Sequence, residues 1–600
     1  MKTVIDKLIA LREAMRREGV VAYIVPGTDP HASEYMAPHW AEMTWISGFL
    51  GESGTAVITL DKALLWTDSR YYLQAEAELQ GSTFVLMRES DVDCPSIPKW
   101  LCDNLSEGRV GVNAEMYSVN SYDKLRKELE DGGLLLHSAD RIAPLWTEGR
   151  PAIPDSILYE YEEKYAGESV AAKLVCVREA MAERRADALI IAELDEIDWL
   201  LNIRGKDVDY TPCLISYVVV EKERCTIFVA PEKLDDKARA YLSRIGVETQ
   251  DYTAIYDYLR CIHATCVMFD GARVNQALYE AVNPAVKRKV NATPSPVQVM
   301  MSVKNEVEIA GERRAMLTDA VALTRFFIWL EKEALKTPQT EITLADKLQD
   351  FRRQGKNYTD DSFCTIAGWK GNGAIVHYHA TSEACAKIEG EGVLLLDSGG
   401  QYLDGTTDIT RTVWIGDAAA IPAAVKEDFT LVLKGHIALA QARFPRGTRG
   451  NQLDVLAHQY MWAKGITYGH GTGHGVGHFM GCHEGPANIR TDNNTNPIKL
   501  GNVFSDEPGI YRTGEYGIRT ENLVVTKKVD APQSRTTGED YYEFETLTLC
   551  FYDTRLIARE MLTDDERAWL NAYHARVYKE VSPLLSADEA AWLKQKCAAI

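Results

Sequence analysis

The sequence predicts an α/β (α+β) fold in which two similar α/β domains are followed by a larger third region of different texture. Three observations carry this. The segment from Asp6, DKLIALREAMRREGVVAYIV, aligns at a constant offset of 166 residues with AKLVCVREAMAERRADALII from Ala172. Each copy opens on apolar residues at i, i+3, i+4 and i+7 and then passes into a short apolar run, the pattern of an amphipathic helix leading into a strand. The last 300 or so residues break this pattern with a helical stretch (Glu306 to Lys336), strands joined by glycine-rich turns, and a helical tail (Thr563 to Ala599).

Within the repeat, Lys7, Leu8, Arg12, Glu13, Ala14, Met15, Ala22 and Ile24 recur as Lys173, Leu174, Arg178, Glu179, Ala180, Met181, Ala188 and Ile190. WISGF at Trp45 is echoed by WLLNI at Trp199. Strand-like runs such as TAVITL and ALLWT then alternate with polar helices such as SRYYLQAEAEL. Two copies at so long a period mark a domain duplication, because solenoid repeats run about 20 to 50 residues. Pro and Gly accumulate in TEGRPAIP (Thr147 to Pro154) and NATPSPVQ (Asn291 to Gln298), which places the domains at 1–150, 151–297 and 298–600.

Composition narrows the partners. A chain of 600 residues exceeds what one core supports, at roughly 150 residues per domain. Its net charge of −21 repels phosphate backbones and argues against nucleic acid. The cysteines are scattered without a CxxC pair and read as reduced, buried thiols. The charged amphipathic start, MKTVIDKLIALREAM, lacks the apolar stretch of a signal peptide, and no run approaches the roughly 20 residues of a membrane span. The expected setting is cytoplasmic, without a membrane.

The chemistry lies in the third region. GVLLLDSGG sets Asp397 at the end of a buried strand, QYLDG turns the chain, and TTDITRTVWI carries Asp408 on the returning strand. Taken as a lone pair, these acids read more simply as turn formers. Further acids arrive in matching contexts: Glu507 before the Pro-Gly turn of SDEPGIY, and Glu521 within the apolar strand of GIRTENLVV. A glutamate between Ile518 and Leu523 is costly to bury alone, so it pairs with Arg519 or binds metal. YGHGTGHGVGHF (Tyr468 to Phe479) adds His470, His474 and His478 among glycines, whose lost entropy must serve close backbone approach. Clustered carboxylates with a histidine suit two hard divalent ions, manganese before cobalt, iron or zinc. Neither HExxH nor GxGxxG is present.

These residues resemble a known family. GAIVHY, LLLDSGGQYLDGTTDITRT, GHGTGHGVGHF, HEGP, DEPGIY, GIRTEN and YYEFETLTL, together with the amino-terminal GTDPHASEY, WTDSRYYLQ and LDEIDWLLNIRG, resemble the three-domain, cytosolic aminopeptidase P (Xaa-Pro aminopeptidase) of metallopeptidase family M24 over essentially the whole chain. The resemblance implies two tandem creatinase/prolidase N-terminal-like domains and a pita-bread catalytic domain. It implies five metal ligands, Asp397, Asp408, His474, Glu507 and Glu521, with Asp408 and Glu521 bridging two ions.

It also implies hydrolysis of the bond between an N-terminal residue and proline, with a hydroxide between the two ions as nucleophile. Glu507 would move the proton, and His377 or His483 would be the donor to the carbonyl oxygen. The proline side would be lined by His377, His470, Tyr511 and Arg519, with His483 a further substrate contact, although Arg519 reads equally as a partner of an acid. The amino-terminal domains would narrow access and form a homodimer, with Trp66, Asp68 and Arg70 as internal packing. His478 reads as a packing or surface histidine, and His379, in the departure HYHA, as a solvated one. A prolidase acting on Xaa-Pro dipeptides and a non-catalytic binding protein of the same fold are the alternatives; the intact ligand set counts against the second.

Overall fold

The protein is described from a computed structural model covering residues 3–51, 53–382, 384–529 and 538–600. The chain forms two compact units, Met1–Glu163 with Glu168–Gln298, and Lys164–Gly167 with Val299–Ile600.

The first unit holds both copies of the repeat. In the first copy α1 (Val4–Glu18), capped by Thr3 and ended by left-handed Gly19, leads into β1 (Val20–Pro26). The remaining strands are β2 (Thr55–Thr59), β3 (Ala63–Thr67), β4 (Phe84–Arg88), β5 (Gly108–Val112) and β6 (Leu134–Ser138), ordered β4-β3-β2-β1-β5-β6. The second copy runs from α2 (Val170–Glu183) into β7 (Ala188–Ile191) and on to β8 (Tyr217–Glu221), β9 (Cys225–Phe228), β10 (Glu248–Gln250), β11 (Cys266–Phe269) and β12 (Arg288–Asn291). Its order, β10-β9-β8-β7-β11-β12, repeats the first sheet strand for strand. The parallel and antiparallel pairings match as well.

The repeated residues do the same work twice. Lys7 Nζ donates to the Trp45 carbonyl at 2.7 Å and lies 5.0 Å from that indole ring. Lys173 Nζ donates to the Trp199 carbonyl at 2.9 Å and lies 4.1 Å from its ring. Arg12 Nε donates to Thr59 O and Arg178 Nε to Glu221 O, each bracing the end of the neighbouring strand. Trp66 is buried with its Nε1 donating to Pro95 O, whereas Asp68 and Arg70 pair with each other at 2.8 Å where water still reaches them.

In the second unit a long helix, α3 (Glu306–Lys332), and α4 (Glu341–Arg352) precede β13 (Tyr358–Asp361), β14 (Ile366–Trp369), β15 (Gly392–Ser398), β16 (Gly400–Tyr402), β17 (Gly405–Thr406) and β18 (Ile409–Ile415). Strands β14, β15 and β18 form one antiparallel sheet, and β13, β16 and β17 another. After α5 (Ala423–Ala440), β19 (Arg443–Pro445) and α6 (Gly450–Trp462) come β20 (Gly473–Gly475), β21 (Glu484–Ile489), β22 (Val503–Asp506), β23 (Gly509–Arg512), β24 (Tyr516–Arg519), β25 (Asn522–Lys528) and β26 (Tyr541–Thr546). The large sheet is ordered β19-β26-β25-β22-β20-β21, and β23 and β24 form a separate hairpin. Helices α7 (Asp564–Val581) and α8 (Ala587–Lys596) finish the chain, and their apolar faces join α3, α5 and the β15–β18 pair in one core through Phe326, Leu394, Phe429, Phe551, Leu570 and Trp592.

Candidate metal centre

Asp397 and Asp408 approach each other because β15 and β18 pair antiparallel, with Asp397 opposite Thr410 and Ser398 opposite Ile409. Asp408 lies one residue before β18 rather than on it, since the chain between the acids detours through the small β16–β17 hairpin. Glu521 requires a larger correction. It is not inside a strand but between β24 and β25, where the chain leaves one sheet for another. There its N–H donates to Thr410 O at 3.2 Å and its Oε2 accepts from Thr410 Oγ1 at 2.7 Å.

His474 is the central residue of β20 and Glu507 follows β22 directly. The two are tied by Ser505, whose Oγ accepts from the His474 N–H at 3.0 Å and lies 3.3 Å from Glu507 Oε1. The Glu507 N–H donates to Thr472 O at 2.8 Å. The glycines beside His474 are explained by crowding: a Cβ on Gly473 would come within 2.1 Å of Ser505 O, and one on Gly475 within 2.2 Å of Glu484 O. His474 Nδ1 lies 2.8 Å from Gly475 O, a pure acceptor, so Nδ1 carries a proton and Nε2 is the ring nitrogen turned toward the acids. That Nε2 is 3.4 Å from Asp408 Oδ2 and 3.6 Å from Glu507 Oε1. Ligand atoms of Asp408, His474 and Glu521 all lie within 4.8 Å of one another.

Arg519 ends β24 and pairs with Asp397, Nη2 to Oδ2 at 2.6 Å. Its Nη1 donates to Tyr511 Oη at 2.8 Å, and Tyr511 Oη is 2.7 Å from His470 Nε2. His470 Nδ1 is 2.8 Å from Gly471 O and donates there, so Nε2 accepts from the phenol and the polarity runs from Arg519 through Tyr511 to His470. His483 is exposed, with its ring edge-on to His474 at 4.1 Å between centroids. His377 is half-buried, and the carbonyl of its neighbour Val376 is 3.5 Å from Arg519 Nη2. His478 stands apart from these groups. It is buried, not at the surface, with Nδ1 2.8 Å from Glu312 Oε1 on α3. His379 is exposed and 4.0 Å from Cys364 Sγ.

Several supporting residues were not singled out in the sequence. The Arg411 guanidinium is buried and donates to Thr410 O, Glu521 O, Phe551 O, Cys550 O and Asn522 Oδ1, bracing both acid-bearing segments from behind. Cys482 Sγ lies 3.2 Å from Asp408 Oδ2. An arginine in an apolar strand is the available signal, but apart from Thr410 O its acceptors come from segments more than a hundred residues away.

The electrostatics are those of crowded acids. Burial raises the Glu521 carboxyl well above its usual range, and Asp408, Asp397 and Glu507 push it further. Glu507 is pushed up to about 8 by burial, against Arg519, with Asp408 and Asp397 adding to the rise. Burial raises Asp397 although Arg519 opposes it, while His474 and His483 hold Asp408 low despite burial. Asp397 Oδ1 is buried with no hydrogen-bond partner. Four carboxylates converging around one arginine are short of positive charge, and a lone buried carboxylate oxygen is costly. The donor set of oxygens and one imidazole nitrogen fits divalent cations.

Residues 310–528 match the family model described as metallopeptidase family M24, and 540–600 match the C-terminal region of that peptidase. Residues 7–142 and 149–308 each match a creatinase/prolidase N-terminal domain. The chain is 38% identical to aminopeptidase P2 of Arabidopsis thaliana over 621 residues, covering 97% of this chain and 87% of that protein. The chain belongs to family M24, in its aminopeptidase P branch. It is 37% identical to Xaa-Pro aminopeptidase 1 of Dictyostelium discoideum, over 96% of this chain and 93% of that one. Within the aminopeptidase P branch, the X-prolyl aminopeptidase of Caenorhabditis elegans, a cytosolic enzyme with a di-nuclear active site, superposes with a TM-score of 0.94 and 33% identity over 100% of both chains. The Xaa-Pro dipeptidase of Bacillus anthracis has the same fold over 63% of this chain and 98% of its own, with a TM-score of 0.51 and 21% identity. Among the described residues of this aminopeptidase P family enzyme, no helix is long and apolar enough to cross a membrane.

Proposed function

We propose that this enzyme releases the N-terminal residue of peptides whose second residue is proline, using two divalent ions, manganese by preference, held by Asp397, Asp408, His474, Glu507 and Glu521. The observation that carries this is the convergence of Asp408, His474 and Glu521 ligand atoms within 4.8 Å, beside Asp397 and Glu507. Two such ions would polarise the scissile carbonyl and lower the pKa of a bound water.

The chain's own residues do the rest. Glu507, partly exposed and next to His474, takes a proton at its carboxylate and returns one to the leaving imino nitrogen. His377 and His483 donate to the carbonyl oxygen and hold the residue after the scissile bond. Asp397 accepts from the free amino terminus. The Arg519, Tyr511 and His470 chain forms one wall for the proline ring, whose nitrogen brings no hydrogen to satisfy. We further propose a cytoplasmic setting, in keeping with the cytosolic X-prolyl aminopeptidase it resembles, and a homodimer.

The test uses chelator-stripped protein returned to manganese, with release of the first residue followed from Arg-Pro-Pro and from Arg-Ala-Pro. Metal-dependent cleavage of the first alone is expected. Cleavage of both would make this a broader aminopeptidase, and cleavage of an Xaa-Pro dipeptide alone would make it a prolidase.

A further inference from the structure

We propose that Glu341 is a positioning residue for the segment that carries His377. Glu341 is the first residue of α4, and its carboxylate is 0% exposed. Oε1 accepts from the Trp369 N–H at 2.8 Å and from Asn372 Nδ2 at 3.0 Å. Oε2 accepts from Tyr378 Oη at 2.6 Å, the Ala386 N–H at 2.6 Å and Asn372 Nδ2 at 3.1 Å. The Glu341 N–H donates to Ala386 O at 3.1 Å, and the Ile388 N–H to Gln339 O at 2.9 Å. One carboxylate therefore ties down the start, the body and the end of the segment 369–386, with His377 beside the anchored Tyr378.

The segment needs such a tie. Past Trp369, where β14 ends, its described residues up to Ala386 form a short 3-10 turn, Lys370–Ala374, and no strand. One side of it rests on Ile366 and Leu395 through Tyr378. Its other side meets the metal centre: Gly373 O lies where a Cβ on Gly517 of β24 would be, 1.7 Å away, and Val376 O faces Arg519. A buried acid whose hydrogen-bond partners here are all uncharged is expensive, and several donors to both oxygens are what make it tolerable. Glutamine has one acceptor oxygen and would turn an NH2 group toward donors, so it cannot hold both ends of the segment. Glu341 makes none of these bonds to the proposed metal ligands. It acts on the position of His377.

This rests on the proposed role of His377 toward substrate, and a double-mutant cycle separates the two ideas. Full-length, manganese-loaded protein would be compared as parent, Glu341→Gln, His377→Ala and the double variant, reading kcat/KM on Arg-Pro-Pro and manganese affinity by calorimetry. Glu341→Gln is expected to lower kcat/KM by about 10- to 100-fold, the scale of a misplaced catalytic group, with manganese affinity within about twofold of the parent. In the His377→Ala background the same change is expected to cost no more than about twofold. Full multiplication of the two effects, or a parallel loss of manganese affinity, would overturn the proposal. If Glu341→Gln does not fold, Tyr378→Phe removes a single donor and is read through the same cycle; an unchanged kcat/KM there overturns it too. A His377→Ala variant with parental kcat/KM would remove the role of His377, and the positioning proposal with it.

Discussion

Arg519 and Asp397 form a buried ion pair, Nη2 to Oδ2 at 2.6 Å, in which the arginine is the one guanidinium among the described residues bonded to a proposed ligand carboxylate. Removing one partner of a buried pair leaves the other uncompensated, at a cost of about 3–5 kcal/mol. Arg519→Ala should lower the thermal midpoint of metal-free protein accordingly, and saturating manganese should recover part of the loss by supplying charge to Asp397. Scanning calorimetry with and without metal measures both.

Asp408 stands 3.4 Å from His474 Nε2 and belongs to the cluster with Glu521. Asp408→Ala is expected to abolish manganese binding in a titration and turnover of Arg-Pro-Pro together. Turnover that survives without binding would falsify the metal-dependent reading.

Glu521, Asp397 and Glu507 are all raised by burial, and Asp408 adds to each rise, so the folded protein without metal carries a repulsive cluster. Chelation should therefore destabilise the second unit. Manganese at 100 times its dissociation constant should return about 2.7 kcal/mol, seen as a concentration-dependent midpoint.

His478 Nδ1 meets Glu312 Oε1 at 2.8 Å, and a Cβ on neighbouring Gly311 would come 3.0 Å from the His478 ring. His478→Ala leaves a buried carboxyl short of a partner and opens a cavity, for a loss of about 1–3 kcal/mol by chemical denaturation. Manganese affinity should stay near the parent's, which separates this histidine from His474.

His574 is buried, its Nε2 accepts from the Tyr552 N–H at 3.1 Å, and burial with the nearby Arg411 charge lowers it to about 4. A histidine held neutral in the fold is protonated first in the unfolded chain, so its contribution is present above about pH 6.5 and lost as pH falls toward 4. The loss over that window is on the order of 3 kcal/mol. The stability gap between the parent and His574→Gln should shrink by that order between pH 7 and pH 4 in urea titrations.

The repeat was legible because its residues act locally. Lys7 and Lys173 reach tryptophans that the sequence already paired by echo, and Arg12 and Arg178 brace the next strand, so a shared pattern meant a shared sheet. The acids of the third region drew notice together rather than singly, since Asp397, Asp408, Glu507 and Glu521 each lie within a few residues of an apolar run and beside a strand end. Periodicity did not show that Glu521 lies between two strands, because an apolar run reads the same when the chain changes sheets within it.

What the sequence by itself determined was the duplication, the α/β class and the gathering of acids and histidines in the third region, all written in spacing and side-chain chemistry. Tertiary structure alone decided which carboxylate has a guanidinium partner, that His478 faces Glu312 instead of the proposed ligands, and that Glu341 bonds to the His377 segment. The reason is physical: a buried charge is satisfied by whichever donor the packing brings within about 3 Å, and that donor can lie anywhere along the chain.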